Sequence, residues 1–240
     1  MTNDALRPED LARGMVGRLS PELRARLAPL CSETRVVEGR RLFSTAQERL
    51  DESVLLLDGL MGRYVRDKQG RQQMVAIQVP LDFVDLHSFP LGSLDHEVEA
   101  LTTARLAVFP HETLRAALRD DYELMEALWR LTLIDGAIHR HWTFRLGRLR
   151  ALAGIANFLA EMDCRMRIAG VGEEGGYALP LTQPDLSDAC GMSPVHVNRI
   201  LRELREAEIC TLAGGHVQIM NRDKLYRTGD FRQDFLYDIL

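Results

Sequence analysis

The sequence predicts an α+β chain: a jelly-roll-like β-roll, then a long helix, then a winged helix-turn-helix. Three observations carry that prediction. Short apolar runs broken by turn residues fill positions 34–109. A heptad-like apolar stripe follows between Asp121 and Gly147. Beyond Leu181 come two short helical patterns joined at Gly191, then two strand patterns around Gly214-Gly215. The expected divisions are 1–118, 119–147 and 148–240.

Residues 1–30 read as helical. Leu11, Met15 and Leu19 share a face, and Ser20-Pro21-Glu22 restarts a helix bearing Leu23, Leu27 and Leu30. The strand patterns are Val36-Val37, Leu42-Phe43, Val54 to Leu57, Gly62 to Val65, Met74 to Val79, Glu97 to Leu101 and Leu106 to Phe109. Asp67-Lys68-Gln69-Gly70 is a hairpin turn. Many short strands at this spacing suggest a sandwich or jelly roll. Pro110 ends them, and His111 to Leu118 reads as a short helix.

In the long helix, Leu124, Leu128, Leu131, Ile138 and Trp142 recur at alternating fours and threes, with Asp135 at the interrupted position. Such a stripe suits a coiled-coil seam, and equally a helix lying on a sheet. Asp135-Gly136 is a local weakness within it. Arg148 to Met162 reads as a further helix with Leu149, Leu152, Ile155, Ala156 and Leu159 inward. The glycine-rich stretch Gly170 to Gly176 reads as a loop.

From Leu181 the pattern sharpens. Thr182 can cap a helix with Asp185 three residues on, and Pro184 is tolerated in its first turn. Gly191 suits a sharp corner, and Ser193-Pro194 restarts a helix as N-cap and first helical residue. There Val197, Ile200, Leu201 and Leu204 form one stripe, while Val195, Asn198, Arg199 and Arg202 form the opposite one. An amide, two guanidiniums and a small apolar group suit base edges, thymine methyls and phosphates in a major groove. The alternative is an ordinary helical hairpin with solvated arginines. A hairpin with Val217 and Ile219 alternating follows, so the whole reads as a winged helix.

The chain has 240 residues, enough for two modest domains, with 46% hydrophobic and 27% charged residues. Its net charge of -5 argues against non-specific polyanion binding and for a small, selective footprint. Cys31, Cys164, Cys190 and Cys210 form no CxxC pair and read as reduced thiols, which with no secretory leader implies the cytoplasm. No run reaches the ~18 apolar residues of a membrane span, so no membrane partner is expected.

The run Leu181-Thr182-Gln183-Pro184-Asp185-Leu186, then Gly191-Met192-Ser193, then Val197-Asn198-Arg199-Ile200-Leu201-Arg202-Glu203-Leu204, resembles the DNA-binding end of the Crp–Fnr family of bacterial transcription regulators. The resemblance implies a roll like those of cyclic-nucleotide-binding domains acting as sensor, and a long helix serving as homodimer seam. It also implies double-stranded DNA and RNA polymerase as partners, and an inverted-repeat operator. Carried over residue by residue, Arg199 is the arginine that reaches guanine or phosphate. Asn198 stands where members place glycine or serine and could read adenine. Val195 replaces a glutamate that accepts from cytosine, so the operator should differ from those of the best-known members. His196 flanks the face, while Thr182, Gln183, Ser193 and Pro194 at the helix starts are backbone anchors.

The resemblance also locates an effector pocket, on Asp82, Val84, Asp85, His87 and Ser88 of one stretch and Asp95 and His96 of another. Cyclic-nucleotide-binding members carry a Gly-Glu pair in the first and Arg-Ser or Arg-Thr in the second. Here Asp85 and Leu86 replace the former, and the latter has acids where a phosphate would sit. Cyclic AMP is therefore not expected, though an unknown small effector remains open. Cys31 alone near the N-terminus cannot assemble an iron–sulfur cluster. His87 and His96 are the nominees for a haem ligand, which is not expected either. His139 and His141 point apart on a helix and make no metal set. Asp85, His87 and Ser88 do not make a triad on sequence closeness alone, and no enzyme is expected. The competing reading is a cyclic-nucleotide-type or haem-sensing module whose helix-turn-helix serves protein contacts.

Overall fold

The computed structural model describes residues 5–237. The described chain divides into two compact units, residues 5–65 with 77–135, and residues 66–76 with 136–237.

The first unit opens with 3-10 turns at Pro8–Leu11 and Val16–Arg18, then α1 (Pro21–Leu27). The N-terminus is thus less helical than its apolar spacing suggests, because Gly14 and Gly17 interrupt it. Leu11, Met15 and Leu19 are nevertheless buried. The strands are β1 (Glu33–Val37), β2 (Arg41–Ser44), β3 (Glu52–Asp58), β4 (Met61–Arg66) and β5 (Gln72–Gln78). After α2 (Ser88–Leu91) come β6 (Glu97–Ala100), β7 (Ala104–Pro110) and α3 (His111–Leu118). One sheet runs β1-β7-β3 and the other β2-β6-β4-β5. The β1, β3, β2 and β4 pairings with β7 and β6 are all antiparallel.

Alternation along β3 and β7 explains the packing. Val54, Leu56, Leu106 and Val108 face Met61, Val98 and Ala100 of the other sheet. Leu55, Ala107 and Phe109 face the opposite way, onto Leu27, Leu114, Leu124 and Leu128 of the helices. With both faces covered, β3 reads as an apolar run rather than an alternation.

The long helix α4 (Tyr122–Arg148) is continuous, and the division between units falls within it at Asp135 and Gly136. Its expected seam lies inside the chain. Leu124, Leu128, Ile138 and Trp142 are buried, and Leu131 is partly buried against the core of the first unit. A stripe at spacings of three and four is the same whether it faces a second helix or its own domain, and here the domain takes it. Asp135, at the interrupted position, accepts from the buried Arg63 guanidinium at 2.7 Å. The opposite face of α4 carries Tyr122, Met125, Trp129, Leu133 and Gly136, spaced three, four, four and three. Trp129 and Leu133 on it are more than half exposed, at 57% and 54%.

The second unit is organised around α5 (Ala151–Ile168), which packs on the helices α6 (Gln183–Cys190), α7 (Pro194–Glu206) and α8 (Arg222–Thr228). Ile155, Ala156 and Leu159 are buried as expected, whereas Leu152 is exposed. Burial would push the Glu161 carboxyl up, but Arg145 and Arg165 outweigh it and hold the group below the usual glutamate range. Glu161 accepts from Trp142 Nε1 at 3.0 Å, Arg145 at 2.7 Å and Arg165 at 3.0 Å, and none of these four side chains is appreciably exposed. The Arg145 guanidinium also lies over the Trp142 ring, 4.1 Å from its centroid.

The expected loop at 170–176 ends in a strand, β8 (Gly176–Ala178). With β9 (Cys210–Ala213) and β10 (His216–Ile219) it forms the sheet β8-β10-β9, the wing hairpin plus one strand. A Cβ at Gly176 would stand 1.9 Å from the Val217 carbonyl oxygen, so this glycine permits the close pairing. Tyr177 is fully buried and donates to the Leu159 carbonyl at 2.7 Å, which ties the added strand to α5. Within this unit the start of β5 also reaches α6, where Gln72 donates to Asp188 at 2.6 Å. Among the described residues no helix is long and apolar enough to cross a membrane.

Candidate functional site

The helix pair α6–α7 is shaped by its termini. The Thr182 hydroxyl accepts from the Asp185 amide at 3.3 Å, while the Asp185 carboxylate accepts from the Thr182 amide at 2.6 Å. This reciprocal box satisfies the first amides of α6. Gly191 closes the helix at φ 62°, the left-handed corner that turns the chain into α7. Ser193 then accepts from the His196 amide at 3.4 Å, with Pro194 in the first turn.

The two faces of α7 separate cleanly. Val197, Ile200 and Leu204 are buried, and Leu201 is half-buried. Val195, Asn198, Arg199 and Arg202 are exposed, Val195 at 81%. Pro194, Ser193, Thr182 and Gln183 are exposed as well, and His196 is half-buried. Arg199 pairs with Glu203 one turn on, and its other terminal nitrogen lies 2.8 Å from His196 Nε2. The sequence missed this small network, although a spacing of four between Arg199 and Glu203 signals it. The arrangement presents one amide and two guanidiniums on a rigid helix whose other face is fixed in a core. Such a surface can enter a groove of duplex DNA.

The roll residues nominated as an effector pocket do not share one surface. Asp82 accepts from the Val79 amide at 3.0 Å and Val84 is fully buried. Asp85 is buried and accepts from the Val54 amide at 2.7 Å, and burial pushes its carboxyl up to about 7. Asp85 is therefore a structural acceptor inside the roll. Ser88 is buried 3.5 Å from His111 Nε2, and His111 also meets Ser53 at 2.9 Å, a contact the sequence did not reveal. Arg63, which donates to the Val84 carbonyl at 3.0 Å, was likewise missed because it comes from β4.

His87, Asp95 and His96 are the three that do converge. The His87 and His96 rings stand 5.3 Å apart, and Asp95 meets His96 Nδ1 at 2.8 Å. Burial, with Arg63 nearby, lowers the His87 pKa to about 4, so its imidazole is neutral. His141 meets Asn157 at 2.9 Å and stacks on Phe235.

Comparison with known proteins identifies the C-terminal part directly. The profile of the Crp-like helix-turn-helix domain matches residues 155–228. The transcriptional activator protein FnrL of Cereibacter sphaeroides is 25% identical over 70% of this chain and 68% of its own. The fumarate and nitrate reduction regulatory protein of Shigella dysenteriae is 22% identical over 79% of this chain and 75% of its own. Among solved structures, FixK2 from Bradyrhizobium japonicum superposes with a TM-score of 0.74 at 24% identity, covering 81% of this chain and 96% of that one. That last likeness concerns the fold. The first of these relatives is a transcriptional activator and the second a regulatory protein.

Proposed function

We propose that the chain is a transcription regulator of the Crp–Fnr type, its residues 155–228 matching the Crp-like helix-turn-helix domain, and that it acts as a cytoplasmic homodimer on an inverted-repeat operator. The observation that carries this reading is the exposed Val195, Asn198, Arg199 and Arg202 face of α7, held by a buried reverse face. In this reading Arg199 takes a guanine or phosphate, Asn198 an adenine edge and Val195 a thymine methyl. Thr182, Gln183 and Ser193, with the amides at the helix starts and Pro194 setting the turn, hold the DNA backbone, and His196 flanks a phosphate. The partners are double-stranded DNA, a second copy of the chain and RNA polymerase. A mobility-shift assay on the promoter of its own gene tests it: a retarded, sequence-selective complex supports the reading. No complex at low salt contradicts it and favours a helix-turn-helix used for protein contacts.

The dimer seam in this reading is the outer stripe of α4, centred on Trp129 and Leu133, in place of the buried Leu124, Leu128, Leu131, Ile138 and Trp142. Large exposed apolar side chains aligned on one helix face suit a second copy of that helix, and Gly136 on the same face lets two helices approach closely. The double substitution Trp129→Glu with Leu133→Glu is expected to convert a dimer into a monomer by sedimentation. A dimeric mass in that variant would remove the stripe from the seam.

The roll is the signal domain in this reading, and its ligand is not a cyclic nucleotide. The Asp85 carboxyl is spent on the Val54 amide inside the roll, and Asp95 stands where a phosphate would need a cation. Calorimetry is expected to show no micromolar binding of cyclic AMP. Such binding would overturn this part of the reading. Cys31 alone cannot supply an iron–sulfur cluster, and the reading includes no haem.

A further inference from the structure

The three residues that converge on the roll carry chemistry that the regulator reading does not use. His87 lies immediately before α2, and Gly92 ends that helix at φ 80°. The chain therefore doubles back and delivers Asp95 and His96 just ahead of β6. One donor atom from each of the three residues lies within 4.8 Å of the others. His96 is buried, His87 partly buried and Asp95 exposed, so the group is seated on one side and open to water on the other.

We propose that His87, Asp95 and His96 form a binding site for a divalent transition-metal cation. Two imidazole nitrogens and one carboxylate oxygen select zinc, cobalt, nickel or ferrous iron, whereas magnesium and calcium take oxygen donors. At bond lengths of ~2.0–2.1 Å, donors around a tetrahedral ion stand roughly 3.4 Å apart. Binding requires these donor atoms, now within 4.8 Å of one another, to draw in to that spacing. The Asp95–His96 hydrogen bond already holds two of the donors together, which limits the ordering needed. Three protein donors leave coordination positions for water or a further ligand.

Charge favours the site as well. The nearby cation is Arg63, and Asp135 takes its guanidinium at 2.7 Å. Asp95 supplies a negative charge to the ion itself. The sequence placed these three in one nominated pocket but did not single them out as a metal set, because eight residues separate His87 from His96 and the turn at Gly92 closes the distance. The site extends the reading of the roll as a signal domain, but it stands or falls without DNA.

The test uses the full-length, tag-free chain, stripped with chelator and titrated with zinc chloride and with cobalt chloride. One ion per chain is expected, at micromolar affinity or tighter, with a cobalt visible spectrum showing nitrogen ligation. His87→Ala and Asp95→Asn should each weaken binding at least tenfold, and His96→Ala should abolish it. His216→Ala, at a histidine outside the group, should leave binding unchanged. Should the buried His96 variant fail to fold by circular dichroism, the other two variants carry the test. No binding, or binding unaltered by His87→Ala and Asp95→Asn, overturns the proposal. Either result leaves the operator reading intact, because DNA binding is measured separately.

Discussion

Replacing Arg199 with alanine is expected to weaken operator binding by roughly 5- to 150-fold, the ~1–3 kcal/mol of a bidentate base contact. The loss should concentrate at one base position, so discrimination there relaxes along with affinity. In the unbound protein the guanidinium is shared between Glu203 and His196 on the helix surface. An exposed pair of this kind contributes only ~0.3–0.5 kcal/mol, so giving it up for a base edge is a small penalty. Glu203→Gln should therefore tighten binding slightly, whereas Arg199→Ala loosens it. Fluorescence anisotropy with matched and mismatched operators reads both. Unchanged affinity and unchanged base preference in Arg199→Ala would remove this residue from the interface.

Replacing Glu161 with alanine is expected to destabilise the second unit by about 3–5 kcal/mol, because it strands the buried Arg145 guanidinium. Arg145 donates to this carboxylate, Arg165 also donates to it, and Trp142 loses its acceptor. Since α5 carries Glu161 and seats α6 and α7, the variant should lose DNA binding through unfolding rather than through a lost contact. Guanidinium unfolding followed by tryptophan fluorescence measures it. A change under about 1 kcal/mol would show that the cluster relaxes without its carboxylate.

What the sequence disclosed follows from how local each signal is. The α6–α7 corner was legible because its caps, Thr182 with Asp185 and Ser193 with Pro194, act within three residues, and Gly191 marks the turn. The strands were legible by their short apolar runs and by the turn at Asp67 to Gly70. The strand at Gly176–Ala178 was hidden, because three residues bracketed by glycines carry no periodicity and find their partner, His216 to Gln218, some forty residues on. That the stripe nominated for the seam is buried within the chain was hidden for a different reason. Periodicity reports that a face is apolar, not what it faces, and α4 has two such faces. The inner one, with Leu124 and Leu128, is taken by the roll core; the outer one, with Trp129 and Leu133, is broken by polar residues and so reads weakly. Buried charges were the least legible of all, since Arg63 with Asp135 and Glu161 with Arg145 join residues from different elements.

Selection of bound sequences from a random duplex pool tests the central claim most directly. Two copies of α7 presented by a symmetric dimer should enrich inverted repeats with half-site centres one helical turn apart, about 34 Å. The same selection run with Arg199→Ala should lose preference at one position in each half. Enrichment of a single unrepeated site, or of no sequence at all, would contradict a paired helix reading the groove.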